Sequence, residues 1–379
     1  MTRREAMLGL GAAVSAAAIG RPFGAMAQEA SLEIVARSPV LTNGAAALGD
    51  GTIILNAPRM PGHGRTPSLL RVGVDGSVAP FPGNAWNAWT PGGDGRDALV
   101  CVNACRVAGD DSLWLIDQGT NGDGEPPAGA QKIVRFAPDG GEPIEVLRFD
   151  AGLLPPGARM NDLRLHGDVV YVTDSGLGGI LVHDRSSGRT VRRLSGHPLL
   201  KETAGRPQKG FGGRLLVDEA GETSAVHSDL IEVSPDGAWL YFAAPSGPMR
   251  RIATSALNDP GLTDADLADR IETAFEMPTV HGTAMDDLGN VYLADIERRR
   301  VVVRSSSGRE AVLVADERLV SPDAMFITSD RRLLIPAPQL ELLAPMNGGK
   351  DATTPPFETF AIALPERLGD LPLGSALRF

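Results

Sequence analysis

At six places along the chain a small or polar residue pair heads an apolar run, and the side chains are types that bind cations or move protons. The pairs are Asn43-Gly44, Asn103-Ala104, Asn161-Asp162, Ser228-Asp229, His281-Gly282 and Pro322-Asp323. Asn43, Asn103, Asn161, Asp162, Asp229, His281 and Asp323 together offer amide oxygens, carboxylates and one imidazole. A hard cation such as calcium takes roughly six to eight oxygens of this kind. A polar ligand held by hydrogen bonds is served equally well. Asn161 and Asp229 are the candidate metal ligands, and His281 or Asp229 is the candidate base for proton transfer. Glu297, within Asp295-Ile296-Glu297-Arg298, is a further candidate base, set against its reading as a solvated charge among arginines. Asn and Asp before a strand also bond their own backbone in turns, and Asn-Gly is a favoured turn pair in its own right. The argument for a shared site therefore rests on recurrence at one phase, not on any single residue.

A repeat is what would bring such residues together. The openings are spaced by 60, 58, 67, 53 and 41 residues. Each is followed by a tight turn and a second apolar run, such as Ser112 to Ile116 or Asn290 to Ala294. Around Asn161 the pattern extends to four runs, through Val169 to Thr173, Gly179 to Asp184 and Thr190 to Leu194, with Ser175-Gly176 and Ser186-Ser187-Gly188 as turns. That is a four-stranded meander, and its repetition predicts an all-β chain folded as a six-bladed β-propeller. In a propeller the innermost strand of each blade lines the central channel, so the six openings should converge at one mouth. Leu32 to Val35 precedes the first opening and can complete the last blade, closing the ring and removing an open edge.

Several stretches depart from the repeat. Gly119 to Gly129 is rich in Gly and Pro and reads as an exposed loop, while Lys201 to His227 is a mixed insertion suited to covering one face. Thr263 can cap a helix whose stripe is Leu267, Ile271 and Phe275. Asp117, Asp174 and Asp295 each end a second strand and read as turn residues, and Trp86, Trp89 and Pro91 suit either an aromatic rim or packing. His63, His166, His183 and His197 lack metal-ligand spacing. Cys101 and Cys105 would lie about 13 Å apart in an extended strand, beyond disulfide reach, unless Asn103-Ala104 turns sharply. The Gly-rich Ser175 to Gly179 lacks the helix that phosphate binding needs, so neither nucleotide nor flavin is expected.

Residues 1–27 read as a signal peptide: Arg3-Arg4, a weakly apolar stretch from Gly9 to Ile19, then Ala25-Met26-Ala27 as a cleavage site. The paired arginines suit twin-arginine export, while Ala6 in place of a large apolar residue leaves the general secretory route open. Residues 28–379 would then form one propeller domain, periplasmic or secreted and monomeric. Cleavage takes the formal charge from −11 to −13. An acidic chain with no basic tract argues against nucleic acid and anionic membranes as partners. No membrane span is expected after cleavage, since the leader's apolar stretch is short and Gly-rich.

Longer motifs make the comparison specific. They are Pro58 to His63 with Ser68 to Val72, Ser112-Leu113-Trp114-Leu115-Ile116-Asp117-Gln118-Gly119, Asn161-Asp162-Leu163-Arg164 with Tyr171 to Ser175, Val233-Ser234-Pro235-Asp236-Gly237, and Asn347-Gly348-Gly349-Lys350-Asp351 with Pro355-Pro356. In order and content these resemble the major royal jelly protein/yellow family, here in a bacterial form. The resemblance implies a six-bladed propeller, secretion, and either binding of small amines in the central channel or dopachrome-type tautomerisation. A more distant similarity, to gluconolactonase/regucalcin propellers, implies a divalent metal ringed by a Glu, two Asn and an Asp. Asn161 matches one of those Asn positions. Asn43 stands where the Glu would be, Asp229 where an Asn would be, and His281 where the Asp would be. Three functions follow: binding or modification of a small polar or aromatic molecule, metal-dependent lactone hydrolysis, and protein binding without chemistry.

Overall fold

Alternation of apolar and polar residues over short runs commits this chain to strands, and the turns between them set the strand order. The computed structural model describes residues 31–64, 67–120 and 126–377. The leader over 1–27 and the middle of the Gly/Pro-rich loop, 121–125, lie outside the described residues. Blade one is β2 (Gly44–Ala47), β3 (Ile53–Asn56), β4 (Leu69–Val72) and β5 (Val78–Pro80). Blade two is β6 (Val102–Val107), β7 (Leu113–Asp117), β8 (Lys132–Ala137) and β9 (Gly140–Arg148). Blade three is β10 (Met160–His166), β11 (Val169–Asp174), β12 (Ile180–Asp184) and β13 (Arg189–Arg193). Blade four is β14 (Leu230–Val233), β15 (Trp239–Ala243), β16 (Met249–Ala253) and β17 (Glu272–Phe275). Blade five is β18 (Val280–Met285), β19 (Val291–Asp295), β20 (Arg300–Arg304) and β21 (Glu310–Ala315).

The sixth blade takes three strands from the C-terminal part of the chain, β22 (Phe326–Ile327), β23 (Arg332–Ala337) and β24 (Phe357–Ala363). Its fourth strand is β1 (Glu33–Ser38), paired antiparallel with β24 as ring closure requires. The chain is a six-bladed β-propeller. Its core lies between blades: Trp114, Ile116 and Ile133 of blade two meet Leu163, Val170 and Val172 of blade three. Facing apolar surfaces of successive sheets thus replace any single central core.

One local reading is corrected, and of the two open for Trp86 the packing role holds. Thr263 does cap a helix, with a reciprocal capping box to Asp266, but the helix runs only Asp264–Ala268. Phe275 lies in β17 opposite Met249, because the edge of blade four needs an outer strand and takes these residues for it. Trp86 is no rim residue: it packs in the core edge-to-face with Phe136, centroids 6.2 Å apart, while its indole N–H donates to Glu142. Cys101 and Cys105 are both buried and free. The Arg59 backbone N–H donates to the Cys101 sulfur, and the Cys105 thiol donates to Asn56 Oδ1.

The recurring aspartates do more than end strands. Asp117 accepts the backbone N–H groups of Val100 (2.9 Å) and Cys101 (2.8 Å), just ahead of Asn103. Its Oδ2 also pairs with Lys132 Nζ at 2.8 Å, and both side chains are fully buried. Asp174 likewise accepts the N–H of Arg159 (2.8 Å), two residues ahead of Asn161, and pairs with Arg192. Removing one partner of a buried ion pair strands the other charge in a medium of low polarity. Lys132→Met should therefore destabilise the fold by about 3–5 kcal/mol, read as a lowered midpoint in thermal or urea unfolding.

Candidate functional site

The heads of the inner strands are irregular, and the irregularity falls on the chemically interesting residues. The β6–β7 ladder shifts register between Val102 and Ala104, β10–β11 between Met160 and Leu163, and β18–β19 between Val280 and Thr283. These bulges sit at Asn103, at Asn161-Asp162 and at His281-Gly282. A bulge inserts an unpaired residue and re-aims its side chain. Gly282 is needed here for a second reason: any side chain at that position would collide with the backbone of Asp323 and Ala324. Its bare Cα lets the start of blade six approach blade five.

All seven residues expected at the mouth line one cavity of about 310 Å³: Asn43, Asn103, Asn161, Asp162, Asp229, His281 and Asp323. Amide groups link them along the ring. Asn56 Nδ2 donates to Asn43 Oδ1 and to the Asn103 carbonyl (2.8 Å). Asn103 Nδ2 donates to the Asn161 carbonyl (3.1 Å) and to its Oδ1 (3.2 Å). Each end of this belt reaches a carboxyl: Asn161 donates to Asp229, and Asn43 to Asp323.

The two terminal carboxyls are held in an unfavourable place for charge. Loss of solvent, aided by the charge of Asp162, pushes the Asp229 carboxyl up to about 8. Desolvation and the neighbouring Asp229 raise Asp323 well above its ordinary range. Among the described residues no guanidinium or ammonium pairs with either. Asp162 is different. Burial opposes its ionisation, but Arg106 and Arg164 outweigh burial and hold its carboxyl low. Arg106 Nη2 lies 2.6 Å from Asp162 Oδ2, and Arg164 bridges Asp162 (2.7 Å) to Glu232 (2.7 Å). Glu232 also accepts from the Thr283 hydroxyl at 2.7 Å. This ladder across blades two to five forms the charged floor of the mouth. Burial alone lowers the His281 imidazole to about 4, so the ring is neutral at physiological pH.

Glu297 does not reach the cavity, correcting its reading as a candidate base. Its Oε1 accepts the backbone N–H (2.9 Å) and hydroxyl (3.1 Å) of Thr279. The Thr279 hydroxyl oxygen in turn accepts the N–H of Lys209 at 3.0 Å, on the 201–227 insertion. That insertion covers the mouth as expected and adds Gln208, Ser224, Ala225 and Val226 to the wall. Met60, Pro61, Leu230, Leu340, Pro345 and Met346 make an apolar side. Sequence reasoning missed Gln208 and this apolar wall, because loops outside the repeat supply most of them.

The sequence model of the major royal jelly protein family matches residues 100–343. The chain belongs to that family. No curated protein is similar enough to match. Among solved structures, a gluconolactonase from Xanthomonas campestris is 15% identical with a TM-score of 0.54, covering 88% of this chain and 90% of its own. A luciferin-regenerating enzyme is 9% identical with a TM-score of 0.54, covering 92% and 99%. Regucalcin from Agrobacterium tumefaciens, a calcium-binding protein, is 14% identical with a TM-score of 0.51, covering 92% and 98%. At such identities these neighbours share the fold.

A divalent metal of the kind regucalcin binds does not fit the donor set of this family member. Asn161 Oδ1 is taken by Asn103, while its Nδ2 donates to Ser175 Oγ (3.0 Å) and serves Asp229. Asn161 thus turns an N–H, not a lone pair, toward the carboxyl that would share the metal. Among the described residues no three His, Cys, Asp or Glu side chains are grouped to hold an ion.

The raised Asp229 carboxyl has a consequence for stability. Folded, it keeps its proton up to about pH 8, whereas unfolded it releases it near its ordinary 3.8. Folding therefore takes up a proton between these limits, and stability falls as pH rises from about 4 to 8. Asp229→Asn should raise the unfolding midpoint by a few degrees at pH 8 and leave it unchanged at pH 4. A lowered midpoint at pH 8 would contradict this account.

Proposed function

We propose that this protein binds a small organic cation with an apolar, aromatic body at the channel mouth. One observation carries the reading: Asp229 and Asp323 share a desolvated cavity beside an apolar wall, and although Arg59 and Arg159 also line it, no ion pair to either carboxyl is found among the described residues. An ammonium group entering between them would supply the missing charge, and the wall would take the ring. The volume, about 310 Å³, suits a molecule of that size. Asn43 and Asn161 orient the two carboxyls by donating to them. His281, neutral in the same cavity, is an acceptor for a proton leaving the bound molecule. The site is thereby equipped for tautomerisation of an amine-bearing aromatic: a base removes a proton from one atom of the ligand, and the proton returns at another. On the leader over 1–27, we place this activity in the periplasm or outside the cell.

Metal-dependent lactone hydrolysis has the shared fold in its favour, but the ring amides oppose it, as Asn161 does in donating toward Asp229.

Calorimetry with tryptamine and tyramine tests the cation reading. Free carboxyls that hold protons must release them to receive an ammonium ion, so affinity should rise with pH up to about 8 and then level off. Proton release should appear as a dependence of the heat on the buffer's ionisation enthalpy. Asp229→Asn should weaken binding at least tenfold, and neutral analogues lacking the amine should bind more weakly still. Equal affinity for amine and neutral analogue would overturn the reading, as would chelator-sensitive lactone hydrolysis by the wild-type protein.

A further inference from the structure

Among the described ring residues, His281 alone has a buried side-chain polar atom without a partner. Its Nε2 lies 3.2 Å from Gln208 Oε1. Its Nδ1 is buried and has no partner. Both side chains are more than nine-tenths buried. The direction of the Nε2 contact is set by the far end of the glutamine. Gln208 Nε2 donates to the Ser224 carbonyl at 3.5 Å, so the amide oxygen faces the imidazole. An amide oxygen can only accept, so Nε2 must carry the proton and Nδ1 must carry the lone pair.

Gln208 is itself fixed from several directions. The next residue, Lys209, donates its N–H to Thr279 Oγ1 (3.0 Å), which Glu297 orients. Phe211 N–H donates to Glu341 Oε2 at 2.7 Å, and Arg206 Nη2 donates to the Met277 carbonyl at 2.8 Å. Three anchors within six residues hold this part of the insertion against blades five and six. The insertion therefore does more than roof the cavity: it sets the state of a residue on its wall.

We propose that Gln208 is a positioning residue, which holds His281 as the Nε2–H tautomer and so leaves the lone pair on Nδ1. The role of His281 rests on the reading under Proposed function; the tautomer itself does not. A misassigned tautomer would present a donor where an acceptor is needed, and proton abstraction would then fail with every other residue in place.

Long-range proton–nitrogen correlation NMR of the uniformly nitrogen-15-labelled protein at neutral pH reads the tautomer directly. His281→Asn assigns the resonances by deleting them. The wild type should show one neutral tautomer, with Nε2 in the N–H range and Nδ1 in the lone-pair range. Gln208→Leu should move both nitrogens toward an average of the two tautomers. Gln208→Glu, which keeps an oxygen acceptor at the same place, should restore the wild-type tautomer. An Nδ1–H tautomer in the wild type overturns the proposal without reference to any variant. So does an unchanged pattern in a folded Gln208→Leu protein. If the tautomer responds as expected while no amine binds the wild type, the cation reading fails and the positioning role stands.

Discussion

The mouth of this propeller depends on a buried carboxylate clamping backbone, because a loop entering a blade has no ladder of its own. In blades two and three the clamp is an aspartate at the end of the second strand. It takes the N–H groups just ahead of the ring asparagine and neutralises its charge on a lysine or arginine from the same blade. Blade five divides the task. Asp295 pairs with Arg300 at 2.7 Å, while Glu297 accepts the Thr279 N–H ahead of His281. Blade one substitutes an amide, with Asn56 reaching across to blade two. The clamp fixes where each inner strand starts, and the bulge that follows decides where its first side chain points. In blades two and three a charge used this way does not weaken the fold, since both oxygens of Asp117 and of Asp174 have partners.

The same convergence generates the opposite situation a few ångströms away. Packing six strand heads around one axis strips solvent from whatever they carry. Asp162 survives ionised because Arg106 and Arg164 lie beside it on the channel floor. Among the described residues no arginine forms an ion pair with Asp229 or Asp323, although Arg59 and Arg159 line the same cavity, and their preference shifts to the protonated form. The difference is one of depth. The floor is built by the third and later residues of the inner strands, where arginines from adjacent blades interleave. The mouth is built by the first residues, where asparagines interleave instead. Amides can orient a carboxyl but cannot neutralise it. The fold thus keeps two acids without an ion-pair partner in the larger cavity at the channel mouth, and accepts lower stability at neutral pH for it.

Much of this was legible from the order of residues alone. The six openings, the meander around Asn161 and the closing strand before Asn43 are all periodic features, and periodicity is what a repeat fold writes into a sequence. The convergence of seven named side chains followed from phase alone. What was not legible lay outside the repeat. Glu297 looked able to reach the channel mouth as a base, yet its carboxyl is turned to the Thr279 backbone. The stripe from Leu267 to Phe275 has helical spacing, but the unfilled edge of blade four outweighs that local preference after Ala268. Gln208 carried no signal, since a glutamine in a mixed insertion has neither period nor partner visible along the chain.

This division has a physical basis. Residues supplied by equivalent positions of a repeat arrive at the mouth in equivalent attitudes, all pointing along the same direction relative to their own blade. They can build a belt, as Asn43, Asn103 and Asn161 do, but they cannot distinguish one nitrogen of an imidazole from the other. That distinction needs a group approaching from off the axis, at an angle no blade provides. Only a segment free of the repeat can take that path, and it must then be tied back to the blades to hold a fixed angle. The anchors at Thr279, Met277 and Glu341 do this for Gln208. In a propeller the blades set which chemical groups meet. The segments outside the blades set what those groups can do, and divergence of function on one scaffold should concentrate there.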